Sequence, residues 1–159
     1  MKDVLLGKES LIPEKYDASV LSPISRLDSR IKGGLEDFVK NFEGKDYWTS
    51  YETSWLNEQG IPRNKILNIS YNSHSKFFIE SKSLKLYLYS INNMKFISED
   101  AVQELIKNDL EKALRTDVDI ELVAKPRKIE EIGVSLDNLE IEKVDSLPNS
   151  LVIEPDDQE

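Results

Sequence analysis

The sequence contains no cysteine. Disulfides, thiolate metal sites and a cysteine nucleophile supplied by this chain are therefore excluded. Histidine is nearly absent too. His74 is the only one, so neither a histidine-based metal cluster nor a Ser-His-Asp triad can be assembled from this chain alone. It stands in the polar run Asn72-Ser73-His74-Ser75-Lys76, where a loop histidine without a chemical role is the plain reading. No stretch approaches the roughly 18 uncharged apolar residues that a membrane-spanning helix needs. Near the N-terminus the only apolar stretch is Val4-Leu5-Leu6, too short for a secretory signal, so the expectation is a cytoplasmic protein with no membrane role. Excess positive charge is also lacking. The formal net charge is −9, which argues against non-specific nucleic-acid binding, since that depends on lysine and arginine neutralising phosphates.

What is present suits an ordinary folded domain. A chain of 159 residues is long enough for one domain with a real core. The 39% apolar and 32% charged shares are those of a globular protein. The acid is concentrated at the end of the chain, where Glu140, Glu142, Asp145, Glu154, Asp156, Asp157 and Glu159 face a single base, Lys143. Residues 1–45 are broken by Pro13, Pro23 and Gly33-Gly34, with short apolar pieces at Val20-Leu21 and Phe38-Val39. They read as an irregular arm wrapping a core formed later. Residues 126–159 read as short strands, Ile129–Val134 and Leu139–Val144, then Leu151-Val152-Ile153 and an acidic linker or tail.

Residues 46–125 carry the core module. Tyr47–Leu56 is dense in aromatic and β-branched residues, as strands are. Asn57-Glu58-Gln59-Gly60 makes a turn, and Lys65–Tyr71 returns as a second strand. Leu84, Leu86 and Leu88 alternate like a strand, whereas Leu84, Tyr87, Leu88 and Ile91 have helical spacing. Serines before the segment and Asn92-Asn93 after it favour the helix. Ser98 caps a clearer helix with Glu99 and Asp100 at its positive end and Val102, Leu105, Ile106, Leu110, Ala113 and Leu114 on one face. Val118–Ala124 then alternates as a half-buried antiparallel strand should. The expected order is strand, strand, helix, helix, strand.

The most informative run is Ile79-Glu80-Ser81-Lys82-Ser83-Leu84-Lys85. An apolar run ending in Glu80 suggests a buried strand that delivers a carboxylate to a site at its end. Ser81 and Ser83 are both candidate helix N-caps, and free N–H groups at a helix start favour anions. Such a pair suits a ligand with an N–H-rich ring at one end and phosphates at the other. A capped, solvated helix start fits the same residues.

Several segments together resemble the NADPH-dependent 7-cyano-7-deazaguanine reductases of the queuosine pathway, in particular the N-terminal half of their two-module form. They are Leu6-Gly7-Lys8, Tyr16–Leu21 with Pro23-Ile24-Ser25-Arg26, Asp46–Asn57 with Gly60 and Pro62, and the signature-like Ile79–Leu88. The resemblance spans roughly residues 5–125. Asp28-Ser29-Arg30 and Tyr89-Ser90-Ile91-Asn92 depart from the family pattern. The family's reaction uses a cysteine to attack the nitrile and an aspartate to handle protons. In the two-module form both lie in the C-terminal half, which this chain does not reach.

The resemblance implies an α+β tunnelling fold: an antiparallel sheet with two helices on one face, its barrel completed by other modules or subunits. It implies that Glu80 anchors the deazaguanine edge, that Ser81, Lys82, Ser83 and Lys85 contact NADPH, and that no catalytic residue or metal belongs to this chain. The implied partners are the 7-deazaguanine nitrile, a cysteine-bearing C-terminal module or chain, and further copies in a homo-oligomer. No nucleic acid is contacted directly. The first reading is thus a ligand-anchoring half of a nitrile reductase, inactive alone. The second is a non-catalytic ligand-binding or assembly module. A third, another tunnelling-fold enzyme acting on a pterin or purine, lacks the metal ligands such enzymes use. Trp48, Tyr51 and Trp55 could stack on a flat base, but aromatic residues in a strand more often belong to the core or a barrel interface, and Arg26 and Arg30 fit a phosphate, a partner chain or the surface.

Overall fold

The computed structural model describes residues 13–35 and 44–126, all within the compact unit Met1–Pro126. The pieces expected at Leu6-Gly7-Lys8, Phe38-Val39 and throughout residues 127–159 lie outside the described residues. In chain order the elements are a 3-10 turn (Ala18–Val20), β1 (Pro23–Ser25), α1 (Arg26–Lys32), β2 (Lys45–Asn57), β3 (Pro62–Asn72), β4 (Phe77–Ile79), α2 (Ser81–Ile91), β5 (Lys95–Phe96), α3 (Glu99–Leu114) and β6 (Asp119–Val123). The expected order of strand, strand, helix, helix, strand is the series β2, β3, α2, α3, β6. The arm before it is more regular than its prolines and glycines suggest. Ser25 caps α1 by accepting the Asp28 N–H, and β1 pairs with β4.

The main sheet has the order β5-β2-β3-β6. β2 and β3 form a long antiparallel hairpin, β6 adds antiparallel to β3, and the two-residue β5 runs parallel to the end of β2. The sheet is therefore mixed and open among the described residues. Asn57 closes the hairpin turn. Its carbonyl accepts the Gly60 N–H at 2.9 Å and its side chain accepts the Ile61 N–H at 2.8 Å. Gly60 has φ +80, a conformation that glycine adopts at no steric cost.

Period-two patterning aims one face of this sheet at the helices. Leu67, Ile69 and Tyr71 of β3 are buried with Leu84, Tyr87, Leu88 and Ile91 of α2 and Val102, Ile106, Leu110 and Leu114 of α3 in one cluster. Both helices thus lie on the same face. Each such side chain contributes roughly 1.5–3 kcal/mol by leaving water. In β2 the pattern changes phase midway. Ser50 pairs with Leu67 but Thr53 pairs with Lys65, so one extra residue sits in β2, a β-bulge. Before it Trp48 packs against the core; after it Thr53 and Trp55 turn inward and become buried.

Buried polar groups fasten the arm to this core. The Tyr16 and Tyr87 hydroxyls both donate to Asp109 Oδ2 at 2.7 Å, and the two rings meet edge to face at 6.3 Å. Asp109 lies on the apolar face of α3, buried between Ile106 and Leu110. Arg26 is not a free surface charge. Its guanidinium pairs with Asp46, donates to the Ser75 carbonyl at 2.9 Å, and lies 5.3 Å from the Phe78 ring centroid. The sequence showed its charge but not the carboxylate 20 positions away that would receive it.

Burial raises the Tyr16 phenol from 10.0 to about 12, assisted by its bond to Asp109 and by that carboxylate's charge. The same causes, burial first, raise Tyr87 further. A phenol with a raised native pKa stays neutral in the fold while the unfolded chain ionises near its ordinary value. The stabilisation is therefore complete below about pH 10 and lost as pH rises toward 12. Urea midpoints measured from pH 8 to 11.5 should fall across the upper part of that range, and Tyr16→Phe should fall less steeply. An equal slope in both proteins contradicts this assignment.

Candidate functional site

Glu80 follows directly from β4, as the apolar run before it suggested. Its backbone is extended, with φ −77 and ψ 130, and its N–H donates to the Ser22 carbonyl at 3.1 Å. Neither Ser81 nor Ser83 is the N-cap of α2; Glu80 is. Its Oε1 accepts the Lys82 N–H at 3.0 Å and its Oε2 accepts the Ser83 N–H at 2.7 Å. The longer side chain wins because it spans two of the free N–H groups at the helix start, where a serine hydroxyl spans one. A carboxylate is further favoured there by the positive end of the helix. Glu80 is only 4% exposed, yet each of its oxygens keeps acceptor capacity beyond the single N–H it receives.

Ser83 is fully buried and committed to structure. Its Oγ donates to the Glu80 carbonyl at 2.7 Å and accepts the Ser22 N–H at 3.1 Å. In this arrangement the hydroxyl faces inward, with both bonds made inside the fold. Ser81 and Lys85 are exposed and Lys82 is half-buried. Ser81 and Lys85 line a cleft of ≈ 350 Å³ between α2 and β2, together with Trp48, Tyr51 and Glu52. Lys85 Nζ lies 5.4 Å from the ring centroid of Tyr89, which also lines the cleft.

The three aromatic candidates separate. Trp55 is a core residue at 2% exposure. Trp48 is half-buried, and its indole N–H donates to the Tyr71 hydroxyl at 3.0 Å. That hydroxyl also accepts the Ile79 N–H at 3.2 Å, and burial raises its pKa. Tyr51 is 64% exposed at the cleft. Arg30 lies half-buried in the last turn of α1. His74 is exposed in the turn between β3 and β4, beside a polar depression lined by Lys45, Lys76, Arg115 and Asp119. Among the described residues no group of three or more His, Asp or Glu side chains is placed to hold a metal ion. No described helix is long and apolar enough to cross a membrane.

Two features escaped the sequence reading. Asp109 was visible as an acid at helical spacing among Val102, Ile106 and Ala113, a pattern that calls for a buried partner. Glu52 gave no signal, because its place in the cleft depends on the bulge.

The family profile described as "Nitrile reductase, 7-cyano-7-deazaguanine-reductase N-term" matches residues 12–122. Curated relatives carry the name NADPH-dependent 7-cyano-7-deazaguanine reductase. One from Acinetobacter baylyi is 37% identical over 162 residues, covering 98% of this chain and 57% of the relative. Another from Burkholderia cenocepacia is 39% identical over 142 residues, covering 86% and 51%. A third from Desulfotalea psychrophila is 38% identical over 144 residues, covering 87% and 51%. The chain thus spans about half the length of these relatives.

The cap geometry carries its own test. Glu80→Ala removes both acceptors and should cost about 1–2 kcal/mol in urea denaturation. Glu80→Gln, which keeps an acceptor oxygen, should cost less than half of that. Equal losses would mean that the capping bonds contribute little.

Proposed function

The chain belongs to the family of 7-cyano-7-deazaguanine nitrile reductase N-terminal domains, and we propose that it is the ligand-anchoring half of such an enzyme. The observation that carries this reading is Glu80: a carboxylate buried at a helix start, fixed by two backbone N–H groups, and followed in the chain by Ser81, which lines a cleft with Lys85. A fixed carboxylate with spare acceptor capacity suits the adjacent N–H donors on the edge of a deazaguanine. It also discriminates, because a ligand without those donors leaves a desolvated charge unpaired.

Reduction of a nitrile to a primary amine consumes two hydrides and two protons, and NADPH supplies the hydrides. In the reaction that the family resemblance implies, a thiolate first adds to the nitrile carbon. This chain has no cysteine, so the thiolate must come from the remaining half of the enzyme or from another chain. Here Ser81, Lys82 and Lys85 are the groups offered to the cofactor. Ser83 stands behind them and holds Glu80 and Ser22 in place. The open sheet supports a tunnelling fold completed by other modules or copies. β6 presents an outer edge unpaired among the described residues, and such an edge readily takes up another strand.

The test combines binding with turnover. Glu80→Gln should weaken 7-cyano-7-deazaguanine by at least tenfold in calorimetry while the far-ultraviolet circular dichroism stays unchanged. NADPH absorbance should be steady with this chain alone and fall when a cysteine-bearing C-terminal half is added. Turnover by the chain alone would overturn the division of labour. Silence even with the matching half would favour a non-catalytic binding module.

A further inference from the structure

The β2 bulge gives the cleft a carboxylate of its own. Tyr51 and Glu52 are neighbours in the chain, yet both are exposed, because the extra residue lies between Ser50 and Thr53. Thr53, only 1% exposed, donates its hydroxyl to Ser50 Oγ at 3.0 Å and closes the bulge from the core side. Bulges re-aim side chains and are frequent beside binding sites. This one brings Tyr51 and Glu52 to the β2 side of the cleft, while Ser81, Leu84, Lys85 and Tyr89 line its α2 side.

The chemistry of that lining is selective. Glu52 and Lys85 contribute opposite charges, so a bare phosphate gains from one and is repelled by the other. Trp48, Tyr51 and Tyr89 offer aromatic surface, and Leu84 offers apolar surface. The Trp48 indole N–H is already taken by Tyr71, so the ring can stack on a ligand without leaving a donor unmet. A volume of ≈ 350 Å³ falls in the lower part of the range of small-molecule sites, about 300–1,000 Å³. We infer that the bulge cleft binds an uncharged nitrogen heterocycle bearing an amine or carboxamide, with Glu52 accepting its N–H groups. This rests on the preceding reading in one respect: a reduced nicotinamide dinucleotide carries such an uncharged ring at each end, and its phosphates would then lead toward Lys82 and Lys85.

The test titrates the full nitrogen-15-labelled chain with adenosine, reduced nicotinamide riboside and, separately, pyrophosphate. At least one ring probe should shift the Trp48 indole N–H and the amides of residues 49–52 saturably, and pyrophosphate should not. Glu52→Ala and Tyr51→Ala, both at exposed positions, should each weaken that ring about tenfold and leave the rest of the spectrum in place. No shift at millimolar ring concentrations, equal shifts with pyrophosphate, or unchanged affinity in Glu52→Ala would each overturn the assignment. The two readings fail separately when each variant meets both ligands: 7-cyano-7-deazaguanine, itself an amine-bearing heterocycle, should weaken in Glu80→Gln and not in Glu52→Ala, and the ring probe the reverse.

Discussion

At the start of α2 Glu80 and Ser83 are buried, and N–H groups withdrawn from water at a helix start must find acceptors. Glu80 meets this demand with its side chain, and its backbone does further work at the same point. Its N–H reaches Ser22, its carbonyl takes the Ser83 hydroxyl, and that hydroxyl receives the Ser22 N–H. The arm, β4 and α2 therefore meet in one closed set of hydrogen bonds. Because the dielectric is low there, each bond gains strength and each missing partner would be costly. The carboxylate that the functional reading needs is held in place by the requirements of folding.

On the proposed function, this dual role would let an anchoring carboxylate stand ready before a ligand arrives. A carboxylate in water would lose rotamer freedom on binding; one fixed by two N–H groups has already given it up. The supports lie behind it. Tyr71 accepts from Ile79 and Trp48, and Tyr16 and Tyr87 converge on Asp109. The groups that line the cleft and are proposed to meet a ligand, Ser81, Lys85, Tyr51 and Glu52, lie outside this bracing.

The sequence disclosed what depends on local pattern. The hairpin was legible from β-branched and aromatic density with a turn at Asn57–Gly60. The two helices were legible from spacing and from Ser98, and β6 from its alternation. It concealed what depends on distant partners. The serines before α2 looked like caps because serine usually is one, and only burial shows why the glutamate prevails. Ser83 looked available because polarity does not reveal orientation. β5 is two residues long and exists only because β2 is beside it. Arg26 finds Asp46, and Asp109 finds Tyr16, across chain separations that no periodicity encodes.

The bulge in β2 also governs which changes of chain length this strand can survive. A strand has two faces, so adding or losing one residue exchanges them for everything beyond that point. Between Ser50 and Thr53 the chain has already made that exchange once. Deleting a residue there would send either Trp48 or Trp55 outward, whereas an extra residue in the exposed turn at Glu58–Gln59 disturbs neither. Within one hairpin, length is thus free to drift at the tip and held fixed at the middle. Relatives of this chain are expected to carry their insertions accordingly.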